Sequence, residues 1–377
     1  MRKTTKKIRA LFVTINPIEH NRRLQNQINA ALKSGWYVEV IAARSESALT
    51  VTLPVKVRIT RLPLLARSGP LMFIGFNKLL VFLLVFRSYD VLFVRGVWPM
   101  PAVLFAKLFK KFRLIYDAHE YFAGLPSLQN RPLRRSLWLW LEKLGLKKSA
   151  LALTVSEPIL EQLHRRYPFF TNWQLIRNVP PFRQPVKAAE RSDTEFRLVY
   201  HGYFMPERGL ENLLQALSRC TNKNIRLTLI GDGVLKNTLQ QICAESALTE
   251  RVRFMEMQLM DRLFALLPEN DLGIVMLLPV SDNHRYALPN KFFDYLMAGL
   301  PVLASNILTM QNYITRYEVG ITVDPQNPAA IADLLDELAG NRDILQRWRK
   351  NCIAAAKELC WENEEVLIRR AFDHLFT

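Results

Sequence analysis

Short apolar runs alternate with amphipathic stretches along the whole chain. In the first half the runs Ile8–Ile15, Tyr37–Ala42, Val57–Arg61, Val91–Arg95, Arg113–Tyr116, Ala150–Thr154 and Gln174–Ile176 read as strands. Helical spacing falls between most of them, as in Asn21–Lys33 and Met100–Phe109. The segment Asn178–Thr194 breaks this rhythm with Pro180, Pro181 and Pro185 and then a charged stretch, which reads as a linker. After it, strands are predicted at Phe196–His201, Ile225–Ile230, Val252–Phe254, Leu272–Met276, Pro301–Ala304 and Gly320–Val323. Helices are predicted at Leu210–Arg219, Leu235–Ser246, Met260–Leu267 and Lys291–Ala298. The end reads as helical from Pro328 to Phe376, with breaks at Gly340 and near Cys360–Trp361. Such alternation predicts an α/β chain of two Rossmann-like, doubly wound domains facing a cleft. The expected boundaries are residues 1–180, a linker at 181–194, and 195–360.

Length and composition agree with two domains. The chain has 377 residues, 50% of them hydrophobic and 23% charged, which excludes a disordered or fibrous protein. Four cysteines without a Cys-x-x-Cys pair argue against a thiolate zinc site or a disulfide framework, and for a reducing cytosol.

Charge changes the picture more. The net charge is +17, and residues 1–190 carry 31 basic against 10 acidic side chains, whereas residues 191–377 carry 20 against 24. The excess is confined to the first half. A one-sided positive field suits a polyanion, either nucleic acid or an anionic membrane surface; solubility alone is the plainer explanation. The basic start MRKTTKKIRALFVTI resembles a signal peptide, but Arg9 and Asn16-Pro17 interrupt it and a first core strand is expected. Leu71–Phe86 is too short and too interrupted, by Asn77 and Lys78, to be expected to span a bilayer. It reads equally as a buried helix or one dipping into a lipid interface. In Arg131–Ser149, Leu133, Leu137, Trp140, Leu141 and Leu144 recur at helical spacing between basic flanks. That stripe serves an interfacial helix or a core-packed one.

Three stretches carry candidate chemistry. In Val199–Glu211 a strand ends at Gly202 and a helix opens near Arg208-Gly209. Helix-end amides beside a guanidinium suit a diphosphate; a surface Arg near a helix start looks the same. Leu229-Ile-Gly-Asp-Gly233 runs a strand into Gly-x-Gly, where Gly231 and Gly233 admit either a close ligand or a plain tight turn. In Tyr286–Ser305, Pro289 can open a helix with Asn290 and Lys291 in its first turn and Asp294 on the same face. Lys291 offers an anion site and Asp294 an acceptor for ribose hydroxyls; a surface Lys291–Asp294 pair is the alternative.

These stretches, in this order, resemble the C-terminal domain of family 4 retaining glycosyltransferases with the GT-B fold, of the bacterial cell-surface polysaccharide type. In the first half Tyr116-Asp-Ala-His-Glu120, Leu153-Thr-Val-Ser-Glu157 and Phe93-Val-Arg95 are similar to that family's strand-end segments. The resemblance covers nearly the whole chain, and it implies that the last helix, 361–377, crosses back to the first domain. It implies transfer of a sugar from a nucleotide diphosphate sugar, with retention, through His119, Arg208 and Lys291. Donor contacts fall at Gly202, Tyr203, Gly231, Gly233, Met257 (within Glu256–Gln258, beside the base), Tyr286, Asn290 and Asp294. Acceptor-side positions are Asn16, Arg95 and Glu120. His119 would hydrogen-bond the donor sugar or the acceptor hydroxyl; a base in an inverting enzyme and a structural histidine are the other roles weighed.

The chain departs from the family at three places. Tyr286 stands where an acidic residue often precedes the second one by eight positions. Tyr203 replaces the first of a basic pair, and Asn16-Pro-Ile-Glu-His20 replaces a Gly-rich loop. Without an Asp-x-Asp triplet or a His/Asp/Glu cluster, no metal or further cofactor is expected. The expected partners are the nucleotide-sugar donor, a lipid-linked or polysaccharide-precursor acceptor and an anionic membrane surface, with no nucleic acid. The expected location is cytoplasmic, peripheral at the inner face of the plasma membrane. The competing classes are a basic nucleic-acid-binding protein, a GT-B sugar-nucleotide epimerase and a non-catalytic homologue.

Overall fold

The computed structural model describes residues 7–19, 21–44, 57–64, 66, 69–184 and 194–376. It divides into two compact units, Met1–Asn178 with Glu362–Thr377, and Val179–Trp361. Residues 1–6, His20 and 185–193, on which parts of the N-terminal, loop and linker expectations fall, lie outside the described residues.

The first unit is built on seven strands: β1 (Arg9–Val13), β2 (Tyr37–Ala43), β3 (Arg58–Leu62), β4 (Val91–Arg95), β5 (Arg113–Ala118), β6 (Ser149–Thr154) and β7 (Trp173–Leu175). All are parallel, in the order β3-β2-β1-β4-β5-β6-β7. The central strands carry apolar runs between their ends because both faces are covered: Phe12 and Phe93, on neighbouring strands, stack at 4.5 Å and are fully buried. The helices are α1 (Arg22–Lys33), α2 (Gly69–Phe86), α3 (Met100–Phe109), α4 (Pro126–Gln129), α5 (Pro132–Lys148) and α6 (Glu157–Arg166). Asn21 caps α1, its side chain accepting from the Leu24 N–H at 3.1 Å. The final helix, Trp361–Asp373, packs on this sheet: Phe372 lies 4.5 Å from Trp36 and 6.5 Å from Phe93 by ring centroids. Glu364 accepts from Arg177 at 2.9 Å.

The second unit has six parallel strands: β8 (Phe196–His201), β9 (Ile225–Ile230), β10 (Val252–Met255), β11 (Leu272–Val275), β12 (Val302–Ser305) and β13 (Gly320–Val323). Their order is β10-β9-β8-β11-β12-β13. Around them lie α7 (Leu210–Arg219), α8 (Lys236–Glu245), α9 (Met260–Leu266), α10 (Asp282–Arg285), α11 (Asn290–Met297), α12 (Leu308–Tyr317), α13 (Pro328–Gly340) and α14 (Arg342–Glu358). Several bounds differ from the sequence pattern by a residue or two, and α10 and α12 fall outside it. Strand β12 begins at Val302 because Pro301 has no N–H for the ladder; its carbonyl instead accepts from Gly273 at 2.8 Å. Helix α12 escapes the pattern because Thr309 and Tyr313, both buried, dilute its apolar face.

Candidate functional site

In the second unit the strand order reverses at β8, with β9 on one side and β11 on the other. Open parallel sheets bind ligands outside the carboxyl ends of the strands at such a reversal. Here β8 ends at His201, and a 3-10 turn at Pro206–Arg208 leads through Gly209 into α7. The segment after β11 is tied to this loop by the Leu278 N–H, which donates to the Glu207 carbonyl at 2.9 Å.

Helix α11 brings the second set of groups. Its cap is Pro289, in extended conformation, so the helix begins one residue later than a first-turn proline would place it. Lys291 reaches back over β8. Its ammonium lies 3.4 Å from the centroid of the Tyr200 ring. It would stand equally close, 3.4 Å, to a Cβ placed on Gly202. One turn on, the buried Asp294 carboxylate lies 3.7 Å from His201 Nε2. Tyr295 anchors the helix to the sheet, its hydroxyl accepting from the His201 N–H at 3.2 Å.

The electrostatics of this corner are unfavourable until an anion arrives. Burial, and then the charge of Arg208, push the Lys291 ammonium well below the ordinary lysine range, against the pull of Asp294. Burial and Arg208 likewise lower His284. Two basic side chains that act on one another with part of their hydration removed are an arrangement suited to a doubly charged group such as a diphosphate.

The other positions expected from sequence fall around it. Tyr203 is exposed, and its carbonyl accepts from the Tyr200 hydroxyl at 2.8 Å. Tyr286 caps α10, and the exposed Asn290 opens α11. Met257, just beyond β10, is also exposed. Gly231 and Gly233 have a reason other than close approach of a ligand. A Cβ on Gly231 would stand 2.0 Å from the Gly202 carbonyl oxygen, and one on Gly233 2.4 Å from that of Phe204. Both also have positive φ, 155° and 154°. They are needed so that the loop after β8 can lie on the end of β9.

The first unit reverses at β1, between β2 and β4. Beyond β1, the exposed Asn16 donates its N–H to Thr14 Oγ1 at 3.1 Å. At the end of β4, Arg95 donates to the Asn21 side chain that caps α1. Beyond β5, His119 Nδ1 lies 3.4 Å from the Asp117 carbonyl and Nε2 lies 3.9 Å from Glu120. Beneath them Asp117 is fully buried and pairs with Arg23 at 2.6 Å. Burial alone would raise the Asp117 carboxyl; the Arg23 charge and hydrogen bonds overcome it and hold it below the ordinary range. Burial, and then Arg95, push His119 down to about 3, so its imidazole is neutral at physiological pH. Burial raises the Glu120 carboxyl against the pull of Arg95.

The fold therefore gathers Gly202, Lys291 and Asp294 at the end of β8, with Arg208 acting on Lys291, and gathers Arg95, His119 and Glu120 at the ends of β4 and β5. Sequence reasoning missed Tyr200, His201, His284 and the Arg23–Asp117 pair. His201 and Tyr200 lay inside a motif already singled out. Arg23 had no signal, because its partner is 94 residues away.

Residues 20–179 match the family described as Glycosyltransferase Family 4, and residues 195–341 match Glycosyl transferases group 1. A curated relative, the D-inositol 3-phosphate glycosyltransferase of Corynebacterium efficiens, is 24% identical over 190 residues. That match spans 46% of this chain and 43% of the relative, less than half of its length. Among solved structures, the sucrose-phosphate synthase of Thermosynechococcus elongatus superposes with a TM-score of 0.80 at 17% identity, covering 98% of this chain and 99% of that one. Anabaena HepE in complex with UDP-glucose gives a TM-score of 0.74 at 14% identity, covering 98% and 99%. The fold is two Rossmann-like α/β domains of GT-B type.

Proposed function

We propose that this two-domain glycosyltransferase moves a sugar from a nucleotide diphosphate sugar to a membrane-associated acceptor, lipid-linked or a polysaccharide precursor, with retention of anomeric configuration. The observation that carries the reading is Lys291 seated over Tyr200 and beside Gly202 at the carboxyl end of β8, with the charge of Arg208 acting on it. The HepE neighbour, solved with UDP-glucose, supports a donor of this class.

The chemistry follows from charge. As the bond from the anomeric carbon to the diphosphate breaks, the electron pair leaves with the diphosphate oxygen. Arg208, Lys291 and the opening of α11 stabilise that growing charge. Preorganised donors of this kind contribute about 3 kcal/mol each. The acceptor oxygen bonds to the same face of the anomeric carbon, and its proton passes to the departing phosphate oxygen. No protein base is then needed. This suits His119, which at about 3 is a weak base but, as a neutral imidazole, can donate one hydrogen bond and accept another. It holds the donor sugar or the acceptor hydroxyl, and Asn16, Arg95 and Glu120 serve the acceptor. Asp294 accepts from the ribose, Asn290, Tyr203 and Tyr286 flank the phosphates and sugar, and Met257 lies beside the base. Gly202 leaves the donor room, while Gly231 and Gly233 shape the loop. Arg208, and Lys291 once a bound diphosphate restores its proton, offset the diphosphate charge, so no metal or other cofactor is assigned.

The four buried thiols suit a reducing cytoplasm. The basic first half suits the inner, anionic face of the plasma membrane. The test is a panel of labelled nucleotide sugars incubated with a bacterial lipid extract. Transfer of label to the lipid phase, with NMR showing an unchanged anomeric configuration, is the expected result. Sugar interconversion without any acceptor would identify an epimerase instead.

A further inference from the structure

Three helices of the first unit, packed side by side, each leave large apolar side chains uncovered on a shared outer face. Helix α2 starts at Gly69, two residues before the apolar run read from sequence, so its 18 residues are, contrary to that expectation, long and apolar enough to cross a membrane by length and composition, yet only 22% of it is buried. It packs on α3, and α3 packs on α5. Leu71 on α2 is 75% exposed and Phe86 73%; on α3 Leu108 is 75% exposed and Phe109 67%; on α5 Leu133 is 87% exposed. Phe82, Phe105, Leu137 and Trp140 are exposed as well. The aromatic side chains are paired along the helices, Phe82 with Phe86 at 4.8 Å and Phe105 with Phe109 at 5.2 Å.

We infer that this face is a monotopic docking surface for one leaflet of an anionic bilayer. Three features select that occupant. First, no acidic residue occurs in α2 or α3, and the one in α5, Glu142, is buried between the Tyr116 and Tyr167 hydroxyls at 2.7 and 2.6 Å. The exposed charges on and beside these helices are Lys78, Lys111, Arg131, Lys143, Lys147 and Lys148. Basic side chains set among and beside exposed apolar ones, with no exposed acidic residue on these helices, complement anionic headgroups over acyl chains. Second, a twofold contact with another copy would oppose two like-charged basic faces, which disfavours self-association. Third, α2 is fastened lengthwise to its unit. Phe76, Leu80 and Leu84 are fully buried. Asn77 donates to the Trp98 carbonyl at 3.1 Å and accepts from the Ala102 N–H at 3.2 Å. A helix held along its side lies in the interface rather than across it.

An aromatic cluster joins this face to the strand ends. Phe73 of α2 lies 4.6 Å from Trp138 of α5 and 6.0 Å from Trp98, and Trp98 lies 4.7 Å from Trp138. A Cβ on Gly96 would touch both Trp98 Cδ1, at 3.8 Å, and His119 Cε1, at 3.4 Å. Resting on the transfer reading above, this path fits an amphiphilic acceptor: its apolar part stays in the leaflet while its polar head reaches His119.

The test is co-sedimentation of the full chain with vesicles of phosphatidylcholine alone or mixed with phosphatidylglycerol. Calorimetric binding of UDP is followed in parallel as an independent check of the donor site. Binding only to the mixed vesicles, weakened by salt, is expected. The double variant Leu108→Glu/Phe109→Glu should weaken it by about tenfold or more, and Arg131→Glu/Lys143→Glu by about tenfold. Both variants should keep the wild-type circular-dichroism spectrum and melting curve, which shows that the first unit still folds, as well as any affinity for UDP. Equal binding to both vesicle types, or undiminished binding by Leu108→Glu/Phe109→Glu, overturns the inference. So does a stable dimer in solution that this variant dissociates, because a second copy would then be the occupant.

Discussion

The Lys291 ammonium lies 3.4 Å from the centroid of the Tyr200 ring and carries its charge in a place that disfavours it. The ring face returns about 1–2 kcal/mol of attraction, but desolvation and Arg208 outweigh it. Replacing Lys291 with Met keeps the packing and removes the unfavourable charge. The Lys291→Met protein is expected to melt about 2 °C higher than wild type without ligand, while losing the rise in melting temperature expected of the wild type with a nucleoside diphosphate such as UDP. Differential scanning calorimetry measures both.

The same residue sets a pH dependence. A lysine lowered in the folded state binds fewer protons there than in the unfolded chain, where its value is about 10.4. Its contribution therefore makes stability rise with pH from the lowered value up to about 10.4, and Lys291→Met should lack this slope. Diphosphate binding reverses the shift, so donor binding takes up a proton and weakens as pH rises above the value in the free protein. Titration calorimetry over a series of pH values, in buffers of different ionisation enthalpy, should show net proton uptake in the wild type once pH passes the lowered value, and none in Lys291→Met.

Arg23 and Asp117 form a buried pair, and Arg23 also donates to the Ile176 carbonyl at 2.5 Å. Removing one partner leaves an uncompensated charge, so Arg23→Met should cost about 3–5 kcal/mol in urea unfolding. The double variant Arg23→Met/Asp117→Leu should recover most of that loss. Because Asp117 is held below its ordinary range, its stabilisation is present above about pH 4 and is lost as pH falls through the lowered value. The double variant should lose less stability on acidification than wild type.

Gly231 tests the packing role assigned to the Gly-x-Gly turn. At φ 155°, with the Gly202 oxygen 2.0 Å from any Cβ, Gly231→Ala must displace the loop that carries Arg208. It is expected to destabilise the protein by about 2–4 kcal/mol and to weaken UDP binding in calorimetric titration, although position 231 needs no side chain to contact the ligand.

Much of the fold was legible because parallel strands buried on both faces leave long apolar runs. Strands Val91–Arg95, Phe196–His201, Ile225–Ile230 and Gly320–Val323 match the pattern residue for residue. Helix α12 did not show, since a buried threonine and tyrosine interrupt its apolar period. At the site, Arg208, Lys291 and Asp294 were readable as local motifs at helix openings. The contact of Lys291 with Tyr200, and of His201 with Asp294, was not, because it depends on how α11 lies across the end of β8. Similarly, Leu71–Phe86 could be read as core or as interface. Its three-dimensional neighbours decide how much of it is covered, and the exposed Leu108 and Phe109 of α3 add to the same face.

The grip of Arg208 and Lys291 on a diphosphate is tested most directly by calorimetric titration of wild type and Arg208→Ala with UDP and with uridine. Wild type should bind UDP at least about a hundredfold more tightly than uridine. In Arg208→Ala that preference should fall about tenfold or more, with uridine binding unchanged. Equal affinity of Arg208→Ala and wild type for UDP would contradict the assignment of the site.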